Sequence, residues 1–196
     1  MGVVLDLGCG HPPYRDYAGK WRIGVDLRAN DGVDVVANAY YLPFRNNSID
    51  SVICSELLEH LANPHDAVEE IGRVLTPGGK IFLTTRFCYP LHGEPEDYYR
   101  FTEFGLRHLF SKFKILLLKP DTSGIATLVA MTGYIIQELS SRPLWGLVKN
   151  LIWRPLNRIY LMLYSRLVSR LGERERVINL RSHRLLFNSP KALLPW

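Results

Sequence analysis

Cysteine is scarce in this chain, long apolar runs are missing, and acidic residues thin out towards its end. Each shortage excludes something. The 196 residues hold three cysteines, Cys9, Cys54 and Cys88, with no CxxC or Cys/His metal spacing. That rules out a disulfide scaffold or zinc ribbon and predicts free thiols in a reducing cytoplasm, with no metal site expected. The stretch 122–137 is uncharged but interrupted by Thr, Gly and Gln. It falls short of the roughly 18 apolar residues of a spanning helix. No basic segment followed by an apolar one opens the chain, so no signal peptide is expected. Asp6 stands where a myristoylation pattern wants Ser or Thr. Repeats and low-complexity tracts are absent. Residues 121–196 carry only 4 Asp/Glu against 11 Lys/Arg, whereas residues 1–120 carry 15 against 13. The net charge of +5 therefore belongs to the last third, as a partner surface would have it.

What is present starts at once. Val3-Val4-Leu5-Asp6-Leu7-Gly8-Cys9-Gly10 is an apolar run with one acid, closed by two glycines. Such a run fits a parallel strand buried on both faces, and its turn lets backbone approach a ligand. The third glycine of GxGxxG is missing, which argues against a nicotinamide dehydrogenase. Residues 21–25 predict a second strand ending in Asp26, eighteen residues after Gly8. At a spacing near 20, a carboxylate binds ribose hydroxyls in doubly wound sheets; capping a turn is the alternative role.

Further strands are predicted over 33–37, 49–54, 80–85 and 113–118, the fifth parallel to the fourth. Asn63 as N-cap and Pro64 at the first helical position start a helix burying Ala67, Ile71, Val74 and Leu75, which stops at Thr76-Pro77-Gly78-Gly79. Thr102 caps a second helix whose apolar contacts are Phe104, Leu106, Leu109 and Phe110. A further amphipathic helix is expected over 155–171, packed on its own domain or serving a membrane surface or dimer. Residues 184–188 read as a last strand returning to the sheet edge.

With these pieces in order, the chain resembles the class I S-adenosylmethionine (SAM)-dependent methyltransferases, in the branch built like small-molecule methyltransferases. The resemblance covers roughly residues 2–119 and rests on Val4-Leu5-Asp6-Leu7-Gly8-Cys9-Gly10, Gly24-Val25-Asp26, Leu42-Pro43-Phe44, Ile49-Asp50, Leu58-Glu59-His60-Leu61 and Arg73-Val74-Leu75-Thr76-Pro77-Gly78-Gly79-Lys80. It implies an α/β fold: a doubly wound, mostly parallel seven-stranded Rossmann-like sheet with an antiparallel last strand. The chain begins at the first strand, without the helix that usually precedes it, and a helical insertion comes before the last strand. The expected division is a SAM-binding core over 1–120, a basic and apolar helical insertion over 121–172, and the return strand and tail of the core domain over 173–196.

The resemblance places Asp6, Gly8, Cys9 and Gly10 around the methionine end of SAM and Asp26 on the ribose hydroxyls, and it counts Leu27 among the cofactor contacts. Asn38 stands where the family usually has an acid accepting from the adenine amino group, and Ala39 would offer its N–H to the ring. Ser55 and His60 would lie near the donor methyl. His11-Pro12 departs from the small residues that often continue the glycine motif.

The segment 92–102, His-Gly-Glu-Pro-Glu-Asp-Tyr-Tyr-Arg-Phe-Thr, also looks like a motif of this branch that faces the substrate. For a hydroxyl acceptor, His92 or His60 is the expected base, since an ordinary imidazole titrates near neutrality, with Asp97 in reserve. The alternative is a lid braced by Asp97–Arg100 pairing. The resemblance thus implies methyl transfer by in-line displacement to a small-molecule or lipid/sugar-linked acceptor, in the cytoplasm or at a membrane periphery. A homo-oligomer through the C-terminal helices and an inactive methyltransferase-like scaffold are the competing expectations, and nucleic acid is not an expected partner.

Overall fold

A computed structural model describes residues 2–10, 21–120, 127–128, 131–135, 151, 155 and 182–188. Contact clustering divides the chain into two compact units, one of residues 1–87, 91–119 and 182–196, the other of 88–90 and 120–181.

The first unit is built on a seven-stranded sheet. Its strands are β1 (Val4–Leu7), β2 (Arg22–Asp26), β3 (Val35–Val36), β4 (Ile49–Ser55), β5 (Leu75–Arg86), β6 (Lys114–Pro120) and β7 (Ser182–Asn188), in the order β3-β2-β1-β4-β5-β7-β6. The pairs β1–β2, β1–β4, β2–β3 and β4–β5 are parallel, and β7 runs antiparallel to β5. The last strand therefore lies between β5 and β6 rather than at the sheet edge expected from sequence. An antiparallel strand can enter there because β5 and β6 leave a ladder open between them. With β2 on one side of β1 and β4 on the other, the chain reverses its winding at β1, so the carboxyl ends of these strands open a crevice.

Helix α1 (Pro64–Val74) covers the sheet with Ala67, Val68, Ile71 and Val74, a stripe at helical spacing. Val68, Ile71 and Val74, fully buried, each contribute up to about 1.5–3 kcal/mol from their apolar area. Pro64 opens the helix as predicted. Asn63, however, makes no side-chain cap; its carbonyl takes the Asp66 N–H and its own N–H donates to Tyr40 Oη. The chain passes from α1 straight into β5, and the expected Thr76–Gly79 stop survives as an irregularity within the strand. Leu75 pairs with Ile49, but the next partner of β4, Ser51, faces Lys80.

Helix α2 (Glu103–Leu109) is capped by Thr102 Oγ1, which accepts from Gly105 N–H at 3.0 Å. Leu106, Leu109 and Phe110 are buried, but Phe104 is 80% exposed, contrary to expectation. Two residues before Leu106, it lies about 200° around a helix of 3.6 residues per turn and so faces away from that stripe. Strand β3 is shorter than the 33–37 expected, in part because the Asp34 carboxylate, rather than a longer ladder, takes the Gly24 N–H.

In the second unit, residues 127–128 and 131–135 are helical, Thr127 is buried, and the Tyr89 and Tyr134 hydroxyls hydrogen-bond. Among the described residues no helix is long and apolar enough to cross a membrane. Residues 156–171 of the helix expected over 155–171, and residues 11–20 after the glycine turn, lie outside the described residues.

Candidate active site

The glycine turn after β1 is held from below and left open above. Gly8 and Gly10 take φ of 70° and 47°, the left-handed region in which a side chain is strained. The carbonyl of Val25 accepts from both Gly8 N–H (2.8 Å) and Cys9 N–H (3.1 Å), fixing the turn to the end of β2. A Cβ on Gly8 would lie 2.8 Å from Leu57 Cδ1, whereas one on Gly10 would meet nothing within 4 Å among the described residues. Among the described residues, no atom fills the space in front of Gly10.

Asp26 closes the turn on the other side. Its Oδ2 accepts from Gly10 N–H at 2.9 Å and its Oδ1 from Arg28 N–H at 3.1 Å. Each oxygen keeps lone-pair capacity for a diol. Leu27 follows, 65% exposed, an apolar surface beside that carboxylate.

Asp6 lies near the end of β1, two residues before the turn. It is buried, and its Oδ2 accepts from Arg22 Nε at 2.9 Å. Burial raises its pKa while Arg22 opposes the rise. Arg22 also donates to the Gly32 carbonyl. Through Arg22, Asp6 therefore braces β1 against β2 and the loop beyond. Cys9 is likewise buried, its thiol directed at the Gly32 carbonyl and its pKa raised chiefly by burial.

At the end of β3, the Asn38 side-chain oxygen accepts from Tyr40 N–H at 3.0 Å, an Asx turn, and Ala39 is buried beside it. Ser55 and Thr84 share a 2.8 Å hydroxyl contact at the ends of β4 and β5.

The segment containing His92 is laid onto these strand ends by its backbone. Tyr98 and Tyr99 N–H groups both donate to the Glu59 carbonyl, and Phe101 N–H donates to that of Arg86. Tyr99 Oη donates to the Ala62 carbonyl. Arg100 grips Asp97 through two bonds of 2.6 and 2.7 Å, and Asp97 Oδ2 also accepts from His92 N–H. These bonds, the Arg100 pair first, hold the Asp97 carboxyl well below the usual carboxylate range. So weak a base suits bracing rather than proton abstraction, which removes Asp97 from the candidate bases.

The same fold of chain brings His60 and His92 together, ring centroids 4.8 Å apart and edge to face. His60 Nδ1 lies 2.6 Å from the Glu96 carbonyl. Next to them, Glu59 is fully buried, its Oε2 accepting from Thr85 Oγ1 at 2.8 Å. Sequence reasoning gave Glu59 no role. The only signal was its place between Leu58 and His60 in a motif at a strand end. Leu57 under Gly8 and Arg22 behind Asp6 were missed too, because neither contact follows from spacing.

An adenosyl group fits this donor set. A carboxylate with spare lone pairs, an exposed leucine beside it and an open glycine turn lie at the sheet's switch point.

The comparisons agree. Residues 5–83 match the family model described as a methyltransferase domain. The chain is similar to a demethylmenaquinone methyltransferase of Renibacterium salmoninarum, 32% identical over 119 residues covering 56% of this chain and 48% of the relative. It is also similar to a ubiquinone biosynthesis O-methyltransferase of Dechloromonas aromatica, 39% identical over 113 residues covering 48% of this chain and 47% of the relative. The chain thus spans about half the length of these relatives. Among solved structures, a putative methyltransferase of Bacillus halodurans superposes with TM-score 0.58 at 19% identity, covering 97% of this chain and 93% of that one. A phosphoethanolamine N-methyltransferase of Haemonchus contortus, in complex with S-adenosyl-L-methionine, superposes with TM-score 0.57 at 17% identity, covering 97% and 50%. At those identities the superpositions speak for the fold. Sheet order, motif positions and the match of residues 5–83 to a methyltransferase domain together make the chain similar to the class I SAM-dependent methyltransferases.

Proposed function

We propose that the protein binds SAM across the carboxyl ends of β1, β2 and β4 and directs its methyl group to a hydroxyl of a small-molecule acceptor, lipid- or sugar-linked ones included. The observation that carries this reading is the convergence, at one end of the sheet, of the Gly8–Gly10 turn with Asp26 and of the His60–His92 pair. SAM supplies a methyl group on a positively charged sulfur, ready for in-line displacement. Relatives named for ubiquinone and menaquinone biosynthesis support an acceptor of small-molecule size.

The chain's own residues then divide the work. Asp26 accepts from the ribose hydroxyls, and Leu27 offers its exposed side chain to the adenine. Asn38 adds the remaining acceptor capacity of its amide oxygen. Gly10, with no side chain, leaves room for the methionine portion. The braced 92–101 segment covers the acceptor side, excluding water and fixing the line of approach, which is much of what a displacement requires. The acceptor hydroxyl meets the His60–His92 pair, where its proton is drawn off.

Calorimetric titration tests the cofactor assignment. Wild-type protein should bind SAM or S-adenosylhomocysteine with one-site stoichiometry, and Asp26→Ala should bind at least roughly tenfold more weakly, as loss of a charged hydrogen-bonding partner predicts. Absence of binding to wild type overturns the reading. Binding without turnover across hydroxylated acceptors turns it towards a methyltransferase-like binding subunit.

A further inference from the structure

We propose that Glu59, His60 and His92 bind one divalent transition-metal ion of the zinc class, with a coordination position left open for an acceptor oxygen. One ligand atom from each of the three lies within 4.8 Å of the others. In a tetrahedral site with bonds near 2.1 Å, ligand atoms stand roughly 3.4 Å apart, so the cluster closes onto an ion by shifts of about 1 Å.

The surroundings of each ligand favour a cation. A carbonyl oxygen can only accept, so the 2.6 Å contact to Glu96 puts the hydrogen of His60 on Nδ1. The lone pair of the neutral ring is then on Nε2, the arrangement in which a backbone carbonyl orients a metal-binding imidazole. His92 repeats the pattern with a carboxylate. Its Nδ1 lies 3.4 Å from Asp97 Oδ2, and Arg100 holds that carboxylate ionised.

Glu59 supplies the anionic ligand. Its side chain is 0% exposed, and while Oε2 accepts from Thr85, Oε1 has no hydrogen-bond partner among the described residues. The Arg86 guanidinium lies 4.0 Å from Oε1 but is also paired with Glu56. Two carboxylates therefore face one guanidinium, and a buried anion without full compensation is costly. A bound cation removes that cost.

Two imidazoles and one carboxylate, with fewer than four protein ligands, match catalytic rather than structural zinc sites. The ion's role rests on the function proposed above. Coordination would acidify an acceptor hydroxyl, whose proton passes to solvent, so that His60 and His92 serve as ligands while the metal promotes ionisation.

Metal-free protein titrated with Zn2+ should take up one equivalent, and Co2+ should give visible ligand-field absorption that zinc abolishes. Glu59→Gln and His92→Ala should each weaken zinc binding at least roughly tenfold, and Asp97→Asn, acting through His92, by a comparable factor. Thermal melts verify that the variants fold; should Glu59→Gln fail, His92→Ala on the covering segment decides alone. No stoichiometric zinc uptake by wild type, or uptake that His92→Ala leaves unchanged, overturns the proposal. SAM titrated in the presence of a chelator reads the cofactor site separately, so failure of one reading is distinguishable from failure of the other.

Discussion

The carboxylate of Asp26 reaches back across the crevice to the glycine turn, its Oδ2 accepting from Gly10 N–H at 2.9 Å. One side chain thus shapes the turn and presents lone pairs to a ribose. The two roles separate by substitution. Asp26→Asn keeps an oxygen for Gly10 and should leave thermal stability within about 0.5 kcal/mol of wild type, while weakening SAM binding because the charge is gone. Asp26→Ala should lose about 1 kcal/mol as well, since Gly10 and Arg28 N–H groups lose their acceptor. Denaturant midpoints of the cofactor-free proteins, set against calorimetric affinities, distinguish the two. Equal stability of both variants would show the Gly10 contact to be unimportant.

The two glycines of the turn should respond differently to the same change. Both have positive φ, so a methyl group strains either backbone by about 1 kcal/mol. At Gly8 the added carbon also meets Leu57 at 2.8 Å, whereas at Gly10 it meets none of the described residues within 4 Å. Gly8→Ala should therefore destabilise by about 2–3 kcal/mol in urea, overpacking added to strain. Gly10→Ala should cost about 1 kcal/mol and instead act on SAM affinity, by filling the space in front of the turn. If Gly10→Ala binds SAM as wild type does, that space is not the cofactor's.

Much of this was legible because the relevant signals are local. A buried strand reads as an apolar run, a ligand-facing turn as glycines, a strand-end acid as Asp26, and the matched residues 5–83 hold most of the motifs. What sequence could not give are contacts made across the fold. Nothing local reveals that Arg22, sixteen positions on, turns onto Asp6. Phe104 looked like core because apolar character was counted without helical phase. Glu59 stayed without a role because burial, and an oxygen with no hydrogen-bond partner among the described residues, belong to the folded state. The position of β7 between β5 and β6 is likewise a property of the completed sheet.

Two motifs that read separately in the sequence turn out to be one structural unit, and its pH dependence can be measured. Glu70 Oε1 on α1 accepts from Leu42 N–H at 2.7 Å, while Arg73 donates to the carbonyls of Leu42 and Phe44 and pairs with Glu70 at 2.7 Å. The Leu42-Pro43-Phe44 turn is thus stapled to the helix. Hydrogen bonding from Arg73, only partly opposed by burial, lowers the Glu70 pKa from its ordinary 4.5. A carboxyl whose folded pKa is depressed stabilises the fold above its unfolded pKa and loses that contribution as pH falls through the folded value. Glu70→Gln should therefore be about 1 kcal/mol less stable than wild type at pH 7, a modest figure because the Arg73 side chain is 34% exposed. The gap should persist down to about pH 5 and narrow as pH falls below the ordinary 4.5, where Glu70 of the unfolded chain begins to take up a proton, closing once pH has passed the lower folded value. Urea midpoints of both proteins from pH 7 to pH 3 measure it, and a gap independent of pH would mean that shape rather than charge holds the turn.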